Sequence, residues 1–231
     1  MNWDQEPIDI SPLLSEKTAV FPGDTPLSLQ RSLSFSQGHH LELSSLTTTP
    51  HLGAHADASI HYHPQGEGIE ARSLKHYLGP CQVVAIEGLR AKERIRPEHL
   101  PGGFQAQAPR LLFRTDSHLN TDQWTDDFNS LSPELLDLLA AQGVITVGID
   151  SPSVDPADSK DLPSHQALWR HQMAVLEGLK LDQVAPGLYV LVALPLKLKG
   201  LDASPVRAIL LKRSPAASRP REAEGEGSSG E

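Results

Sequence analysis

Apolar and polar residues alternate along much of the first quarter of the chain. Leucine and phenylalanine recur at a spacing of two within residues 27–35, and the pattern resumes between residues 41 and 46. A period of two is typical of β-strands with one buried face, so two antiparallel strands are predicted here. Short strands are also predicted at residues 8–12 and 17–21, on either side of a polar turn.

Five further runs are rich in apolar residues, and several are continuous enough to indicate strands buried on both faces. They span residues 81–86, 110–114, 144–149, 187–195 and 205–212. Between the second and third runs, Ser132 and Pro133 precede a leucine-rich stretch that ends at Gly143. Serine caps free helix amides, proline suits the first turn and glycine follows the last turn, so a helix is predicted here.

Composition narrows both the domain organisation and the function. With 231 residues, 39% of them hydrophobic, the chain is predicted to form one domain over residues 1–213. Residues 214–231 contain no aliphatic residue larger than alanine and are predicted to be a disordered tail. The net charge of −9 argues against a nucleic-acid partner, and no apolar run is long enough to span a membrane. The acidic N-terminus lacks a secretion signal and Cys81 is the single cysteine, which favours a cytoplasmic location.

The densest group of candidate functional residues lies in the stretch from His51 to His61, His-Leu-Gly-Ala-His-Ala-Asp-Ala-Ser-Ile-His. Its histidines and Asp57 all have odd numbers, so a strand would present them on one face. A straight strand would nevertheless separate His51 from His55 by about 13 Å, at roughly 3.3 Å per residue, which is too far for one ion. Gly53 permits backbone angles closed to other residues, so we predict a bent segment that gathers these side chains. Imidazole and carboxylate groups suit zinc and manganese, and the segment is therefore a candidate metal site.

A second segment would have to supply further ligands, since a catalytic metal needs three or more protein ligands. The best source contains His165, His171 and Glu177. A helix predicted to begin at residues 163–164 would put His165 in its first turn, but if it continued it would carry Glu177 about 18 Å away, at 1.5 Å per residue. If both residues are ligands, the helix must end near His171 and residues 173–179 must return as a strand. The residues alone leave His165 and His171 in competition.

The motif His51-x-Gly-x-His55-x-Asp57-x-x-x-His61 resembles the signature of the metal-dependent cyclase-like hydrolases. Six further segments resemble the bacterial kynurenine formamidases within that family: Phe-Pro-Gly-Asp-Thr-Pro (21–26), His-Ala-Asp-Ala (55–58), Tyr-Leu-Gly-Pro-Cys (77–81), Gly-Ile-Asp-Ser-Pro-Ser-Val-Asp-Pro (148–156), Leu-Glu-Gly-Leu (176–179) and Leu-Asp-Ala-Ser-Pro-Val-Arg-Ala (201–208). The likeness covers about residues 7–212. It implies an α/β fold, a swivelling β/β/α domain with a mixed sheet and few short helices, and a homo-oligomer, commonly a dimer.

The resemblance also implies a binuclear site with two zinc ions per subunit, with manganese as the other candidate. One ion would be bound by His51, His55 and Asp57, and Asp57 would bridge to the second ion. His165 would bind the second ion and Glu177 would contact both. The resemblance thus favours His165 over His171 as the ligand.

The activity that the resemblance implies is hydrolysis of N-formyl-L-kynurenine, an aromatic formamide, to L-kynurenine and formate. His61 would be the proton donor and acceptor, and histidine titrates in the range that this role needs. Phe21 falls where the family usually has a tryptophan that lies against the substrate ring.

Three departures from the family pattern bear on substrate preference. Phe21 replaces tryptophan, Ala54 stands where threonine is usual, and Ser59 stands where proline is usual. None of them removes a candidate ligand. Two alternatives stay open: a related hydrolase that uses manganese and acts on another aromatic amide or lactam, such as isatin, and a metal-binding protein without catalytic activity.

Overall fold

The structure is a computed structural model, and it describes residues 6–212. Within this part of the chain there are thirteen strands and two α-helices, α1 (Pro133–Ala141) and α2 (Pro163–Arg170). The strands are β1 (Ile8–Asp9), β2 (Ser28–Leu33), β3 (Leu43–Thr47), β4 (His55–Asp57), β5 (Leu78–Ala85), β6 (Arg94–Ile95), β7 (Arg110–Arg114), β8 (Ser130–Leu131), β9 (Thr146–Ile149), β10 (Ala174–Glu177), β11 (Gly187–Val192), β12 (Ala203–Pro205) and β13 (Ile209–Lys212). The predicted tail, residues 214–231, and residue 213, where the predicted domain ends, lie outside the described residues.

Nine of the strands form one mixed sheet in the order β1-β13-β11-β5-β7-β9-β10-β4-β12. The four strands β5, β7, β9 and β10 are parallel to one another, and the strands on both sides of them pair antiparallel. Strands β2 and β3 form a separate antiparallel hairpin, and β6 and β8 form a short parallel pair. A mixed sheet with two short helices is the α/β architecture that the resemblance implied, and that prediction is confirmed.

Neighbouring residues of the central strands point into two different cores. Leu111 packs in a core with α1 and α2, whereas Leu112 packs in a core on the opposite face of the sheet. This second core brings together Ala56 from β4 and Leu210 from β13, which lie near opposite ends of the strand order. Backbone hydrogen bonding also joins the two sides of the sheet, since the amide of Lys180, after β10, donates to the carbonyl oxygen of Ile10, after β1. The sheet therefore curls around its second core.

The α1 helix and the β2–β3 hairpin confirm the corresponding predictions. Ser132 is the N-cap of α1, and its hydroxyl accepts a hydrogen bond from the amide of Leu135. The strand predicted at residues 17–21 is wrong, because this segment makes a turn and an isolated backbone bond from Ala19 to Thr121 rather than a ladder.

The single strand predicted over residues 205–212 is also wrong. The chain forms two strands, and these pair at different places in the sheet: β12 with β4, and β13 with β1 and β11. Residues 206–208 connect β12, at one end of the strand order, to β13, which is next to the other end. None of the helices in residues 6–212 combines the length and the hydropathy that a membrane span requires.

Candidate metal centre

Two antiparallel neighbours, β4 and β10, carry most of the candidate ligands, with Glu177 directly opposite His55. Each strand adjoins a glycine with a left-handed backbone, Gly53 at φ +58° and Gly178 at φ +62°. A β-carbon on Gly178 would collide with the carbonyl group of Gly53. The two glycines therefore permit the close approach that brings Glu177 to the bent histidine segment, as predicted for Gly53.

The second segment folds as the sequence predicted. The α2 helix ends at Arg170 and the chain returns as β10, so His165 and Glu177 reach the same place. The Nε2 atom of His165 lies 3.4 Å from Oδ2 of Asp57 and 3.6 Å from Oε1 of Glu177. His171 does not join them, because its Nε2 lies 2.7 Å from Oδ1 of Asp137 at the surface.

His51 and His55 approach the same carboxylates from the β4 side. Nε2 of His55 is 3.4 Å from Oδ1 of Asp57 and 3.3 Å from Oε2 of Glu177. Nδ1 of His51 is 3.1 Å from Oδ1 of Asp57. All five predicted ligands thus meet around Asp57, which contacts the three imidazoles.

Two groups of side chains could each hold an ion, and Asp57 belongs to both. His55 and Glu177 complete one group, and His51 and His61 complete the other, with ligand atoms within 4.8 Å of one another in each. Asp57 is thus placed where two ions could share it, but the grouping differs from the predicted one, because His51 is grouped with His61 rather than with His55, and His165 belongs to neither group. His61 lies close enough to share an ion with His51, beside which its ring stands at a centroid distance of 4.2 Å.

The carboxylates control the charge of the buried imidazoles. Burial lowers the pKa of His55, but its contacts with Asp57 and Glu177 outweigh this and raise the pKa to about 10. Burial likewise lowers the pKa of His165, but the carboxylates of Asp155, Asp57 and Glu177 outweigh this effect. The pKa of His165 is therefore held well above its usual value. Burial would raise the pKa of Asp57, but His165, His51 and His55 hold it well below its usual range. Two buried carboxylates therefore require positive charge beside them, which either protons or cations can provide.

Unpartnered polar atoms indicate whether protons or cations suit the site better. Among the described residues, both carboxylate oxygens of Asp57 and Nε2 of His165 are buried without a hydrogen-bond partner. Buried polar atoms in folded proteins are normally paired, and a site for an ion is one accepted reason for an exception. Unpartnered carboxylate oxygens beside an unpartnered imidazole nitrogen fit a divalent cation with nitrogen and oxygen ligands.

Asp155 and the carbonyl group of Gly53 orient two of the candidate ligands through hydrogen bonds. Oδ2 of Asp155 accepts hydrogen bonds from both the backbone amide and Nδ1 of His165, at 3.0 Å and 2.8 Å. Nδ1 of His55 donates to the carbonyl oxygen of Gly53 at 2.8 Å. In both rings Nδ1 is thereby occupied and Nε2 faces Asp57, as in metal sites whose ligands are oriented by outer hydrogen bonds. The signal available in the sequence was the position of Asp155 after the buried strand β9, at an edge where α/β folds often carry site residues.

Four of the five residues, His51, His55, His165 and Glu177, line a cavity of about 540 Å³, and the buried Asp57 lies among them; these five residues are called the floor of the cavity. Aromatic rings line its wall: the ring of Phe21 meets that of Trp124 edge-on at 5.3 Å between centroids, and Trp124 stands 6.2 Å from Phe128. Phe21, the predicted substrate contact, thus lines the cavity, and Trp124 and Phe128 line it as well, although no role was predicted for them. They lie more than 100 residues after Phe21, and no local pattern connects them.

Comparison with known proteins relates this geometry to a family. The model of the Cyclase family matches residues 8–156. A solved structure described as a potential metal-dependent hydrolase with cyclase activity is 26% identical, with a TM-score of 0.76 over 91% of this chain and 99% of that one. Isatin hydrolase A from Labrenzia aggregata, bound to benzyl benzoate, is 21% identical, with a TM-score of 0.74 over 89% of this chain and 93% of that one. Isatin hydrolase A from Ralstonia solanacearum is also 21% identical, with a TM-score of 0.73 over 90% and 92%. At such identity the isatin hydrolases share the fold with this chain.

Proposed function

Because this chain belongs to the Cyclase family, we propose that it is a metal-dependent hydrolase that converts N-formyl-L-kynurenine to L-kynurenine and formate. One observation carries the proposal. His51, His55, Asp57, His165 and Glu177 converge at the floor of a cavity whose wall is aromatic. The floor supplies ligands for hydrolytic metal chemistry and the wall supplies ring faces for an aryl group.

The five floor residues would hold two divalent ions, with Asp57 between them. Bound zinc or manganese supplies a Lewis acid and makes hydroxide available near neutral pH, since zinc lowers the pKa of bound water to about 7. The protein contributes the orientation of the ligands through Asp155 and the carbonyl group of Gly53. It also contributes a buried position, which strengthens electrostatic interactions.

The wall of the cavity suits the aromatic part of the substrate. Phe21 and Trp124 meet edge-on, and their faces can hold an aryl ring while the small formyl group enters the narrow floor. The indole N–H of Trp124 donates to Oδ1 of Asp126 at 2.8 Å. Trp124 therefore offers the substrate a ring face rather than a hydrogen bond, and the same holds for Phe21.

His61 is the residue that we expect to move the proton. The leaving nitrogen of an aromatic amide departs poorly as an anion, so it needs a proton as the C–N bond breaks. His61 lines the cavity beside the floor residues, and it is partly exposed. A histidine in this position can take a proton from the attacking water and pass it to the nitrogen.

Metal analysis combined with a formamidase assay tests the proposal. The purified protein should bind about two zinc or manganese ions and hydrolyse N-formyl-L-kynurenine. His61→Ala should keep its metal ions and lose most turnover, by roughly 100-fold or more. His63→Ala is the matched control, because His63 stacks on Trp169 at a centroid distance of 4.0 Å, outside the cluster. Full activity of His61→Ala would remove His61 from the mechanism, and loss of an ion would make it a ligand instead.

A second candidate activity is hydrolysis of the cyclic aromatic amide isatin. It is supported by the fold shared with the isatin hydrolases and by an aromatic wall that would accept a fused ring equally well. Assays with both substrates after loading with zinc and then with manganese separate the two. Turnover of isatin alone would replace the first proposal. The expected homodimer stays a prediction that sizing of the purified protein checks.

A further inference from the structure

Asp202 joins two histidines of the candidate centre. Its Oδ2 atom lies 3.0 Å from Nε2 of His51 and 3.3 Å from Nδ1 of His61. More than 140 residues separate it from both along the chain. Asp202 is neither one of the five floor residues nor part of the aromatic wall.

The sheet holds Asp202 in this position. Strand β12 pairs antiparallel with β4, with Ala203 opposite Asp57. The backbone oxygen of Asp202 also accepts a hydrogen bond of 2.8 Å from the amide of Ala58. The carboxylate is therefore anchored to the segment that carries the histidines, while about two fifths of its side chain stays exposed.

The position of the carboxylate determines the tautomers of the two rings. An aspartate that is ionised at neutral pH accepts hydrogen bonds and cannot donate them. Nε2 of His51 and Nδ1 of His61 must then each carry the proton that points to Oδ2. For His61 this leaves Nε2 as the nitrogen that can accept a proton. His51 differs, because its Nδ1 also faces a carboxylate, with Oδ1 of Asp57 at 3.1 Å, so a proton or a cation must lie between them.

We propose that Asp202 is a positioning residue that keeps His61 in the tautomer able to accept a proton at Nε2. This role rests on the function proposed above. Nε2 of His61 takes one proton from the attacking water, whose oxygen bonds to the formyl carbon. As the C–N bond breaks, Nε2 returns that proton to the departing nitrogen. One water molecule is thereby added across the C–N bond, which yields formate and the free aromatic amine.

Leaving groups of different basicity distinguish this role from a structural one. A formamide of an aromatic amine needs a proton on its nitrogen, whereas phenyl formate releases a phenolate that can depart without one. Both formyl compounds need a proton taken from the attacking water, but only the formamide also needs one returned to its leaving nitrogen. If Asp202 works through His61, its removal should therefore slow the formamide more than the ester. If Asp202 merely supports the fold or the ligand His51, both substrates should slow together.

The experiment compares wild type, Asp202→Ala and Asp202→Glu as fully metal-loaded proteins, with bound metal measured in each. We expect Asp202→Ala to retain its metal ions and its KM for the formamide. Its kcat on the formamide should fall about 10- to 100-fold, the range found for outer hydrogen-bond partners of site histidines, and that on phenyl formate by a clearly smaller factor. Asp202→Glu should recover part of the loss because it restores a carboxylate. Asp137→Ala is the control, since Asp137 also accepts from a histidine, His171, but at the surface.

Equal losses on both substrates, or loss of metal from the loaded Asp202→Ala protein, would overturn the positioning role while leaving the proposed function intact. Failure of the wild-type protein to hydrolyse either formyl compound would instead end the proposed function and this role with it.

Discussion

The floor and the wall of the cavity are built in different ways. The floor residues His55, Asp57 and Glu177 are 1–3% exposed and sit on strands of the main sheet. The wall residues Phe21 and Trp124 lie on connections without regular structure, and Phe21 is 51% exposed. The floor is held by hydrogen bonds from several directions, whereas the wall is held by ring contacts and by local hydrogen bonds such as that from Trp124 to Asp126. In this protein a rigid scaffold carries the candidate chemistry, and loops carry the contacts that would select the substrate.

The largest effect should follow from changing the centre of the floor. Asp57→Asn removes the carboxylate that three imidazoles share, so it should weaken metal binding at least about 100-fold and abolish detectable turnover. Metal should raise the melting temperature of the wild type but not of the variant, because only the wild type binds it tightly. Elemental analysis and thermal melts measure both effects. Asp161→Asn, at an exposed position outside the cluster, should behave as the wild type. Normal metal content in Asp57→Asn would contradict the proposed bridge.

A change in the wall should be milder and of a different kind. Trp124→Ala and Phe21→Ala each remove a ring face worth roughly 1–2 kcal/mol, which should raise KM for the aromatic formamide about tenfold. Metal content should not change, because neither side chain touches the floor ligands. Steady-state kinetics with an aromatic and an aliphatic formamide measure the difference, and Trp169→Ala, on the far side of His63, serves as the control. Equal effects on both substrates would mean that the wall does not recognise the ring.

The smallest effect at neutral pH concerns a buried histidine that has no carboxylate partner. Burial lowers the pKa of His76 to about 4, whereas the carboxylates raise that of His55 to about 10. The unfolded chain therefore binds more protons at His76 than the folded one between pH 6.5 and about 4. The contribution of neutral His76 to the free energy of unfolding is complete above pH 6.5. It is lost as the pH falls from 6.5 to about 4, and it amounts to at most about 3 kcal/mol.

Denaturant unfolding at a series of pH values measures this contribution. His76→Gln can still donate to the carbonyl oxygen of Ile145, which Nδ1 of His76 contacts at 3.0 Å, but it does not titrate. The variant should lose less stability than the wild type between pH 6.5 and 4. The exposed His40→Gln should follow the wild-type curve. Identical slopes for all three proteins would show that His76 is not the source.

The floor could be predicted from sequence more completely than the wall. The spacing of His51, His55 and Asp57 within seven residues is a local pattern, and Gly53 indicated the bend that gathers them. The distance along a continuous helix predicted that the helix must end near His171 if His165 and Glu177 share one site, and α2 does end at Arg170. The residues left His165 and His171 in competition, and the resemblance favoured His165; in the structure His165 lies in the first turn of α2, whereas His171 is its C-cap residue.

Other features depend on contacts between distant parts of the chain. Trp124 meets Phe21, and Asp202 meets His61, across more than 100 residues each. Residues 203–212 form two strands because residues 203–205 pair with β4, whereas residues 209–212 pair with β1 and β11 near the other end of the strand order. The pattern of apolar residues in this segment does not show where it divides. The segment at residues 17–21 has the composition of a strand but joins no strand ladder among residues 6–212.

By itself, the sequence determined the order and type of most elements and the inventory of metal-ligating side chains. These depend on interactions between residues a few positions apart, which propensity, capping and periodicity describe. Tertiary structure alone decided which nitrogen of each imidazole faces the carboxylates, which rings form the wall, and that one aspartate reaches both His51 and His61. These outcomes depend on how strands pair and how the sheet curls, and many local sequences are compatible with each arrangement.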